Sequence, residues 1–567
     1  MNVNNTMFLN RKRLYILYGS IFFIFLFLVL RLIYLQIISS ENLINSGNKR
    51  SLRIQNILKS RGVITDRMGR LLAVDIPVYS VWVDPQEISK CNGVYNDISS
   101  WSVISKILNI PIKKLFVLLN EHHTDRFVYL SRQVDSIVVQ KIKKLKLSGI
   151  YIQQESKRYY PAGSSAAHLI GITNIDNQGI EGVEKSFDSW LSGCPKTRLV
   201  RQDRSRQVVE EIALLNHGCS PKSITLSIDE RLQFVAYQEL SNAVSLNKAE
   251  SGSIVLIDIN TGEILAMANS PSYDPNNFSI IDQSVMRNRA ITDSFEPGST
   301  IKPIVIMMAL EHKVIEKDTI INTLPYVIHG HRIKDVSLHN ELTISDILKK
   351  SSNVGISRLA LSMPVSVLID TYIKFGIGEM TNIGLIGENK GRIYSDIKYY
   401  SAIEHAALSY GYGLMLTPLQ LAKVYATIGG MGLSRPISII KIDNPVSLIS
   451  SENQVFSESL VRTVIDMMDV TTLSNSGCCK AAIEGYRVAV KTGTIKKVGP
   501  HGKYINRYIA CMAGVAPSSN PRFALAVVIN DPKNGRYYGG SVSAPVFRSV
   551  MSSALKIMNV NPDFLQK

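Results

Sequence analysis

Residues 253–268 read SIVLIDINTGEILAMA, and this stretch decides the fold of the C-terminal part of the chain. Apolar residues at period-2 positions flank the turn NTG at 260–262, which predicts a β-hairpin. Three later runs, RVAVKTG, YIACMAGVA and RFALAVVIND, read as further strands between 487 and 531. Helical patterns occupy the sequence between the hairpin and these strands. We therefore expect an α+β domain, in which an antiparallel sheet takes strands from both ends and a helical cluster is inserted between them.

The N-terminal region contains a long uncharged segment, LYILYGSIFFIFLFLVL at 14–30, which LIYLQII extends beyond Arg31. Residues 14–37 are long enough to cross about 30 Å of hydrocarbon, so they predict a transmembrane helix. Basic residues at 11–13 precede it, and the positive-inside bias places residues 1–13 in the cytoplasm and the rest of the chain outside. A cleaved signal peptide is the alternative, but the apolar run is long for one and no small-residue cleavage site follows it.

The sequence beyond the membrane segment divides into two predicted domains. Short alternating runs such as YSVWVDP, the amphipathic stretch IVVQKIKKLKL and the turn-rich ITNIDNQGIEG predict a mixed α/β domain over 45–215. The polar stretch LNHGCSPKS at 215–223 is the candidate linker. The second domain, which includes the hairpin, is expected over 224–560.

Composition limits the classes of function. The chain has 567 residues, 45% of them hydrophobic, and a net charge of +17, which suits an anionic lipid or an acidic polymer. No motif of interleaved basic and aromatic residues predicts nucleic-acid binding. The six cysteines lack C-x-x-C and histidine-interleaved spacing, so no metal and no cofactor is predicted. Adjacent Cys478 and Cys479 are expected to be free thiols, with a strained vicinal disulfide as the alternative.

A candidate nucleophile lies in the segment SFEPGSTIKP at 294–303. Ser299 and Lys302 are three residues apart, so both side chains face one side of the first helical turn. Serine is also a common N-cap, and the same spacing occurs at several other places in the chain, so this pair alone is weak evidence. Pro303 suits a first turn, whose unpaired N–H groups present a positive end to a developing oxyanion.

Two further segments supply the groups that such a serine needs. KSSNVG contains Ser351 and Asn353, and VAVKTGT contains Lys491 at the end of a predicted strand. Lys302 can accept a proton from Ser299 only if burial or a nearby cation lowers its pKa, and Lys491 is the obvious cation. Ser351 can relay the proton to a leaving amine, and Asn353 can hold a peptide amide or orient Lys302.

The KTGT segment also predicts how a peptide substrate binds. Gly493 lets a substrate backbone approach closely, so that a peptide binds as an added strand. Thr492 and Thr494 can hydrogen-bond a terminal carboxylate. The backbone N–H groups of Ser299 and Thr494 are expected to form the oxyanion hole.

The three segments follow the order S-x-x-K, S-x-N and K-T-G, a set found in class A β-lactamases and penicillin-binding proteins, with serine where S-D-N has aspartate. Long matches extend this likeness: RGVITDRMGRLLA (61–73), RYYPAGSSAAHLIGITNIDNQGIEGVEKSFDSWLSG (158–193), DRSRQVVE (203–210), AESGSIVLIDINTGEILAMANSPSYDPNN (249–277) and SYGYGLMLTPLQLAKVYATIGG (409–430). The chain therefore resembles the class B penicillin-binding proteins, and most closely the division-specific peptidoglycan D,D-transpeptidases of gamma-proteobacteria.

The resemblance implies one anchor in the bacterial inner membrane, a non-catalytic pedestal of the dimerisation type and a periplasmic transpeptidase domain. It implies that an acyl-enzyme serine attacks D-Ala–D-Ala stem peptides, releases D-Ala, cross-links nascent glycan strands at the septum and is acylated by β-lactams. The implied partners are a septal glycan polymerase of the shape, elongation, division and sporulation family and other divisome membrane proteins. The implied catalytic residues are Ser299 as nucleophile and Lys302 as base, with Ser351, Asn353 and Lys491 completing the site.

Other readings of the site stay open. A D,D-carboxypeptidase or a β-lactamase would pass the acyl group to water, although no deacylating glutamate can be assigned from the sequence. An elongation-type transpeptidase is a second alternative, and a divisome scaffold with dispensable catalysis is a third. Tyr537 and Tyr538 in GRYYGG are expected to line the substrate groove, with surface packing as the alternative.

Two positions depart from the family pattern. Met68 stands where the D-R-x-G turn usually has Asn or Ser, so we expect Gly69 to take the positive φ. SNSGCCK at 474–480 replaces a Gly-rich loop.

Overall fold

The structure is a computed structural model, and it describes residues 4–57, 60–90, 98–145, 147–203, 208–277, 282–396, 398, 400–443, 453–473, 479–499 and 502–564. These residues form two compact units. One unit comprises 1–59 with 193–221, and the other comprises 60–192 with 222–567. Cys478 and most of the segment 474–480 lie outside the described residues.

The strands have 6 to 9 residues in the first unit and 2 to 13 residues in the second. In chain order they are β1 Leu52–Ile57, β2 Ile64–Thr65, β3 Leu71–Val83, β4 Val128–Val134, β5 Ile150–Tyr159, β6 Lys196–Gln202, β7 Val208–Asn216, β8 Ile224–Thr225, β9 Ser251–Asp258, β10 Ile264–Ser270, β11 Ile320–Asn322, β12 Tyr326–Ile328, β13 His331–Ile333, β14 Glu341–Thr343, β15 Ala489–Val498, β16 Tyr504–Ala516 and β17 Phe523–Asn530.

The α-helices are α1 Asn4–Ile33, α2 Ser40–Ser51, α3 Pro85–Lys90, α4 Ile98–Leu108, α5 Ile112–Glu121, α6 Ser136–Lys144, α7 Ala167–Ile170, α8 Gly182–Ser186, α9 Asp188–Ser192, α10 Glu230–Leu246, α11 Arg289–Thr292, α12 Lys302–Glu311, α13 Ile344–Lys350, α14 Asn353–Leu361, α15 Val365–Lys374, α16 Ala402–Ser409, α17 Pro418–Gly429, α18 Glu458–Leu473 and α19 Gly539–Ile557. Shorter turns of other pitch are the π turn Tyr34–Ile38 and the 3-10 turns Gly163–Ser165, Gln283–Val285, Gly298–Ile301 and Cys479–Ala481.

The first unit begins with the apolar helix that the sequence predicts. Among the described residues, Arg11–Ile38 is the one continuous helical stretch long and apolar enough to cross a membrane, and none of its most apolar window is buried against protein. The same unit contains a three-stranded antiparallel sheet of order β1-β6-β7. The segment 215–223, expected to be a linker, starts inside β7, and its Cys219 forms a further antiparallel bridge with Cys194.

The second unit contains the sheet that the hairpin predicts. Five antiparallel strands follow the order β10-β9-β17-β16-β15, so the hairpin pairs with strands from the C-terminal end of the chain. Helices α11 to α18 lie between β10 and β15 in sequence and form the inserted cluster. The expected architecture is therefore confirmed.

Both faces of this sheet are covered by helices. Alternate β9 residues enter different cores: Ile254 and Leu256 belong to the core lined by α10 and α19, while Val255 and Ile257 belong to the core that contains α11 and α17. All eight residues of β9 are buried. The strand consequently reads as an almost continuous apolar run, because side chains of both parities face a core.

A second sheet in this unit is built around the long strand β3. It pairs antiparallel with β4 and β5, and β2 joins it to β8 in the order β4-β3-β2-β8. Beside it, Glu184 accepts from Arg61 Nε and Arg158 Nε, both at 2.6 Å, and all three side chains are buried. Gly69 has a φ of 82°, as predicted for the turn after Met68.

Candidate active site

The candidate nucleophile lies in a tight turn rather than in the α-helix that the sequence predicts to begin there. Gly298–Ile301 forms a 3-10 turn, and α12 begins only at Lys302, with Pro303 in its first turn. Side chains three residues apart eclipse each other in 3-10 geometry. The tighter turn therefore keeps half-buried Ser299 in line with Lys302, as the i, i+3 spacing predicts.

Glycines and a buried tyrosine hold this turn. Gly298 has a φ of 56° and donates its N–H to Gly411 O at 3.0 Å. A Cβ on Gly298 would lie 2.6 Å from Ile495 Cγ1, and a Cβ on Gly411 would overlap Gly298 O. Tyr425 OH donates to Thr300 O at 2.6 Å. The backbone around Ser299 is thus fixed by close contacts that allow no side chain at either glycine.

Lys302 is fully buried and connects the nucleophile turn to the KSSN segment. Its Nζ donates to Ser351 O at 2.6 Å and to Asn353 Oδ1 at 2.7 Å, and lies 3.3 Å from Ser351 Oγ. Burial lowers the pKa of Lys302 well below its usual range, the positive charge of Lys491 lowers it further, and Asp335 opposes both effects. The site therefore favours a neutral amine at this position.

Lys491 approaches the same serine from the sheet. Its Nζ donates to Ser351 Oγ at 2.9 Å, and its side chain is buried. Ser351 ends α13 in the left-handed region, with a φ of 55°, a conformation that costs a non-glycine residue energy and is held by its surroundings. Its hydroxyl consequently stands between two lysine side chains.

Asp335 is the residue of this site that the sequence reasoning missed. One carboxylate oxygen accepts from the N–H groups of Asn353 at 2.5 Å and Val354 at 3.0 Å, and the other accepts from Ser352 Oγ at 2.5 Å. The carboxylate thus caps the N-terminus of α14, where the helix dipole favours negative charge. Asp335 fixes the segment that presents Asn353 to Lys302.

The KTGT segment lies in β15, the last strand of the sheet. A Cβ on Gly493 would lie 2.5 Å from Cys511 Sγ and 3.0 Å from Pro297 O, so contact with the nucleophile turn already requires glycine here. Thr494 Oγ1 accepts the N–H of Gly539 at 3.0 Å, and Thr492 is half-buried on the same side of the strand. Close packing against Cys511 and Pro297 therefore explains a glycine at position 493, in addition to the substrate role predicted from sequence.

The two predicted groove tyrosines precede α19. The Tyr537 ring stacks on Tyr508 with centroids 4.2 Å apart and contacts the Tyr538 ring at 4.5 Å. Tyr538 is 50% exposed and adjoins Gly539, the partner of Thr494. The structure thus brings Tyr538 to the KTGT segment and places Tyr537 in an aromatic stack. Among the described residues, no cluster of three or more His, Cys, Asp and Glu side chains is arranged to hold a metal.

Comparison with known proteins gives full-length matches. The chain matches the penicillin-binding protein transpeptidase domain over residues 252–552 and the penicillin-binding protein dimerisation domain over residues 56–217. It is 55% identical over 553 residues to the peptidoglycan D,D-transpeptidase FtsI of Escherichia coli strain K12, covering 98% of this chain and 93% of that protein. The protein of the same name from Buchnera aphidicola subsp. Schizaphis graminum is 52% identical over 548 residues, covering 96% and 95%.

Solved structures share the fold at lower identity. A peptidoglycan synthetase from Bifidobacterium adolescentis gives a TM-score of 0.70 at 24% identity, covering 91% of this chain and 98% of that one. Penicillin-binding protein 3 from Mycobacterium tuberculosis, complexed with aztreonam, gives 0.69 at 24% identity, covering 91% and 100%. With both domains matched and more than half of its residues identical to a nearly full-length relative, the chain belongs to the penicillin-binding proteins, as a class B member of the gamma-proteobacterial type.

Proposed function

We propose that this protein is a peptidoglycan D,D-transpeptidase of the division septum that works through a serine acyl-enzyme. The observation that carries the proposal is the position of Lys302. Its amine is buried, follows Ser299 by one turn, and contacts the KSSN segment through two short hydrogen bonds. Relatives named D,D-transpeptidase and the transpeptidase domain match support the same reaction.

Acylation begins with transfer of the Ser299 proton. A neutral lysine amine has two N–H groups, and the bonds from Lys302 to Ser351 O and Asn353 Oδ1 use both. Its lone pair then points away from these acceptors and can take the proton as Ser299 Oγ bonds to the carbonyl carbon of the penultimate D-Ala. The N–H groups of Ser299 and Thr494 stabilise the oxyanion.

The leaving amine needs a proton as the bond to the terminal D-Ala breaks. Ser351 Oγ lies 3.3 Å from Lys302 Nζ and 2.9 Å from Lys491 Nζ, so it connects the protonated base to the leaving group. An amine of a neighbouring stem peptide then attacks the acyl-enzyme, Ser299 Oγ leaves and takes up the proton that the amine loses, and the new amide is the cross-link. A β-lactam acylates the same serine by opening its ring amide.

The edge of β15 is the proposed binding surface for the stem peptide. As the last strand of its sheet, β15 can accept an extended peptide as an additional strand. Because Thr494 Oγ1 accepts the Gly539 N–H, its own O–H stays available to donate to the terminal carboxylate. Thr492 is proposed to share this role, and Tyr538 and Tyr537 to line the groove beside it.

Hydrolysis of the acyl-enzyme would require a base that activates water. Glu296 is three residues before Ser299, but its carboxylate accepts from Gly413 N–H at 2.9 Å and from Tyr504 OH at 3.1 Å. These bonds give Glu296 a structural role at the nucleophile turn. The arrangement gives no support to a class A β-lactamase, which needs a glutamate to activate water, and the relatives named D,D-transpeptidase support a transferase.

The proposed location follows from the N-terminal helix. Arg11–Ile38 anchors the protein in the inner membrane, with the tail 1–13 in the cytoplasm and the catalytic domain in the periplasm. The proposed domain limits are 45–215 for the pedestal and 224–560 for the transpeptidase. The proposed partners are a septal glycan polymerase and other divisome membrane proteins, which the pedestal contacts.

Intact-mass spectrometry of the full chain in detergent, after incubation with a penicillin, tests the reaction. We expect one stable adduct that maps to Ser299, is absent from Ser299→Ala, and persists in the matched variant Ser294→Ala. Absence of an adduct would favour the scaffold, and rapid turnover of the drug would favour a hydrolase. In dividing cells, Ser299→Ala should fail to support septation, and normal septation would contradict an enzymatic role.

A further inference from the structure

Two cysteines of the first unit lie directly opposite each other. Cys194 N–H donates to Cys219 O at 3.1 Å, and Cys219 N–H donates to Cys194 O at 3.3 Å. This reciprocal exchange defines a hydrogen-bonded antiparallel pair, just beyond the β6–β7 hairpin. Both thiols are free and exposed in the structure.

The backbone around this pair is closely matched on the two sides. Gly193 and Gly218, which precede the cysteines, have φ values of 64° and 63°. A Cβ on Gly193 would lie 2.5 Å from Cys219 O, and a Cβ on Gly218 would lie 2.6 Å from Cys194 O. The two glycines therefore permit a close backbone approach that holds the cysteines in register.

The distance between the chains suits a covalent bridge. Opposite residues of a hydrogen-bonded antiparallel pair have Cα atoms about 5.5 Å apart, inside the usual range of about 4.4–6.8 Å for disulfides. Their side chains leave the sheet on the same face. A hydrogen bond to the Cys219 thiol raises the pKa of Cys194, in keeping with the register of the two residues.

We propose that Cys194 and Cys219 form a disulfide that closes the β6–β7 hairpin in the mature protein. The proposal rests on the proposed periplasmic location, because disulfides persist in oxidising compartments. The oxidant is the disulfide of a thiol–disulfide oxidoreductase. A Cys194 or Cys219 thiolate attacks it to give a mixed disulfide, and the second thiolate displaces the oxidoreductase, which leaves as a dithiol with the two electrons.

Exposure of both sulfur atoms makes this bond accessible to reductants. Exposed disulfides are the ones that exchange readily with thiols, whereas buried thiols are inert. Cys511 is fully buried, and burial raises its pKa to about 12, so it provides an unreactive reference within the same chain.

Peptide mapping without reduction tests the bond. The full chain is taken from membranes after free thiols are blocked with N-ethylmaleimide during lysis, and is digested with trypsin. We expect peptide 186–196 linked to peptide 207–222, with the link lost in Cys194→Ser and in Cys219→Ser and retained in the matched variant Cys479→Ser. A reductant added to the native protein should open the link and leave Cys511 unlabelled.

Recovery of both cysteines as N-ethylmaleimide adducts would overturn the proposal. Penicillin acylation of Ser299 is read in the same samples and shows that each variant is folded. A linked chain that penicillin does not acylate would leave the disulfide standing and contradict the proposed function. A chain that penicillin acylates but whose two thiols are both blocked by N-ethylmaleimide would contradict the disulfide and leave the proposed function standing.

Discussion

Replacing Asp335 with asparagine changes the charge near Lys302, the proposed base, while keeping the shape of the side chain. The carboxylate raises the pKa of Lys302, whereas burial and Lys491 lower it. Without the negative charge, the pKa of Lys302 should fall further. Since the base acts as the neutral amine, the acid limb of the acylation rate should move to lower pH.

The size of the effect on rate follows from the hydrogen bonds. In Asp335→Asn, the amide oxygen still accepts from the Asn353 and Val354 N–H groups, and the bond from Ser352 Oγ is replaced by one from the amide nitrogen. A loss of about 1 kcal/mol corresponds to about fivefold slower acylation at the optimum. Asp335→Ala leaves three donors without this acceptor and should destabilise the site by about 3–5 kcal/mol.

The assay is the second-order acylation rate constant with a fluorescent penicillin, measured from about pH 5 to pH 9. Asp346→Asn is the matched control, because Asp346 lies in the first turn of α13 and bonds to Thr343 rather than to the lysine cluster. A limb that stays in place in Asp335→Asn, or moves to higher pH, would refute this account of Lys302. If the acid limb of the acylation rate moved equally in Asp346→Asn, the shift would not depend on the position of Asp335 near Lys302.

Lys491→Met removes the cation that lowers the pKa of Lys302, so the acid limb of acylation should move to higher pH, opposite to Asp335→Asn; the same pH series measures it. Burial lowers the pKa of His168 to about 4, so below about pH 6.5 the unfolded state binds a proton that the folded state does not. The free energy of unfolding should therefore fall by about 2 kcal/mol between pH 7 and pH 5 in denaturant titrations. His168→Gln should remove this pH dependence. Glu184→Ala leaves two buried arginine side chains without their shared acceptor, so the free energy of unfolding should fall by about 3–5 kcal/mol in the same titrations. A fall of less than about 1 kcal/mol would contradict a stabilising role for these ion pairs.

The sheet of the transpeptidase domain is predictable from sequence because long apolar runs bounded by turns allow few other readings. The sequence does not show why β9 is apolar on both faces. β9 shows no polar face, since α10 and α19 cover one side and α11 and α17 cover the other, and such burial depends on helices outside the hairpin. Helix propensity also fails to reveal that Ser299 lies in a 3-10 turn, because contacts with Gly411 and Ile495 fix that turn.

The candidate site is predictable to the extent that it is written in short motifs. Motifs predict Lys302, Ser351, Asn353 and Lys491, and the structure joins these side chains by hydrogen bonds. Asp335 has no such signal, because an aspartate in a loop 18 residues before Asn353 acquires its role only when the chain folds. Membership of the class B penicillin-binding proteins, predicted from longer matches, is confirmed by the family and relative comparisons.

The cysteines illustrate a different limit. Spacing excludes a C-x-x-C site, but cysteine connectivity cannot be read from spacing alone. The opposition of Cys194 and Cys219 emerges only from strand register. Cys479 is free, and its neighbour Cys478 lies outside the described residues, so the expectation of two free thiols there stays a prediction.

The open edge of β15 also bears on the solubility of the protein. A strand edge that is proposed to accept a stem peptide presents the same backbone groups to any extended chain, including another copy with a partly unfolded segment. Beyond KTGT, the strand carries Lys496 and Lys497, and its pairing with β16 becomes irregular between Lys496 and Val498. Lysines and bulges both discourage edge-to-edge pairing. These features confine strand pairing at this edge to the residues around KTGT, and the remainder of the edge resists aggregation.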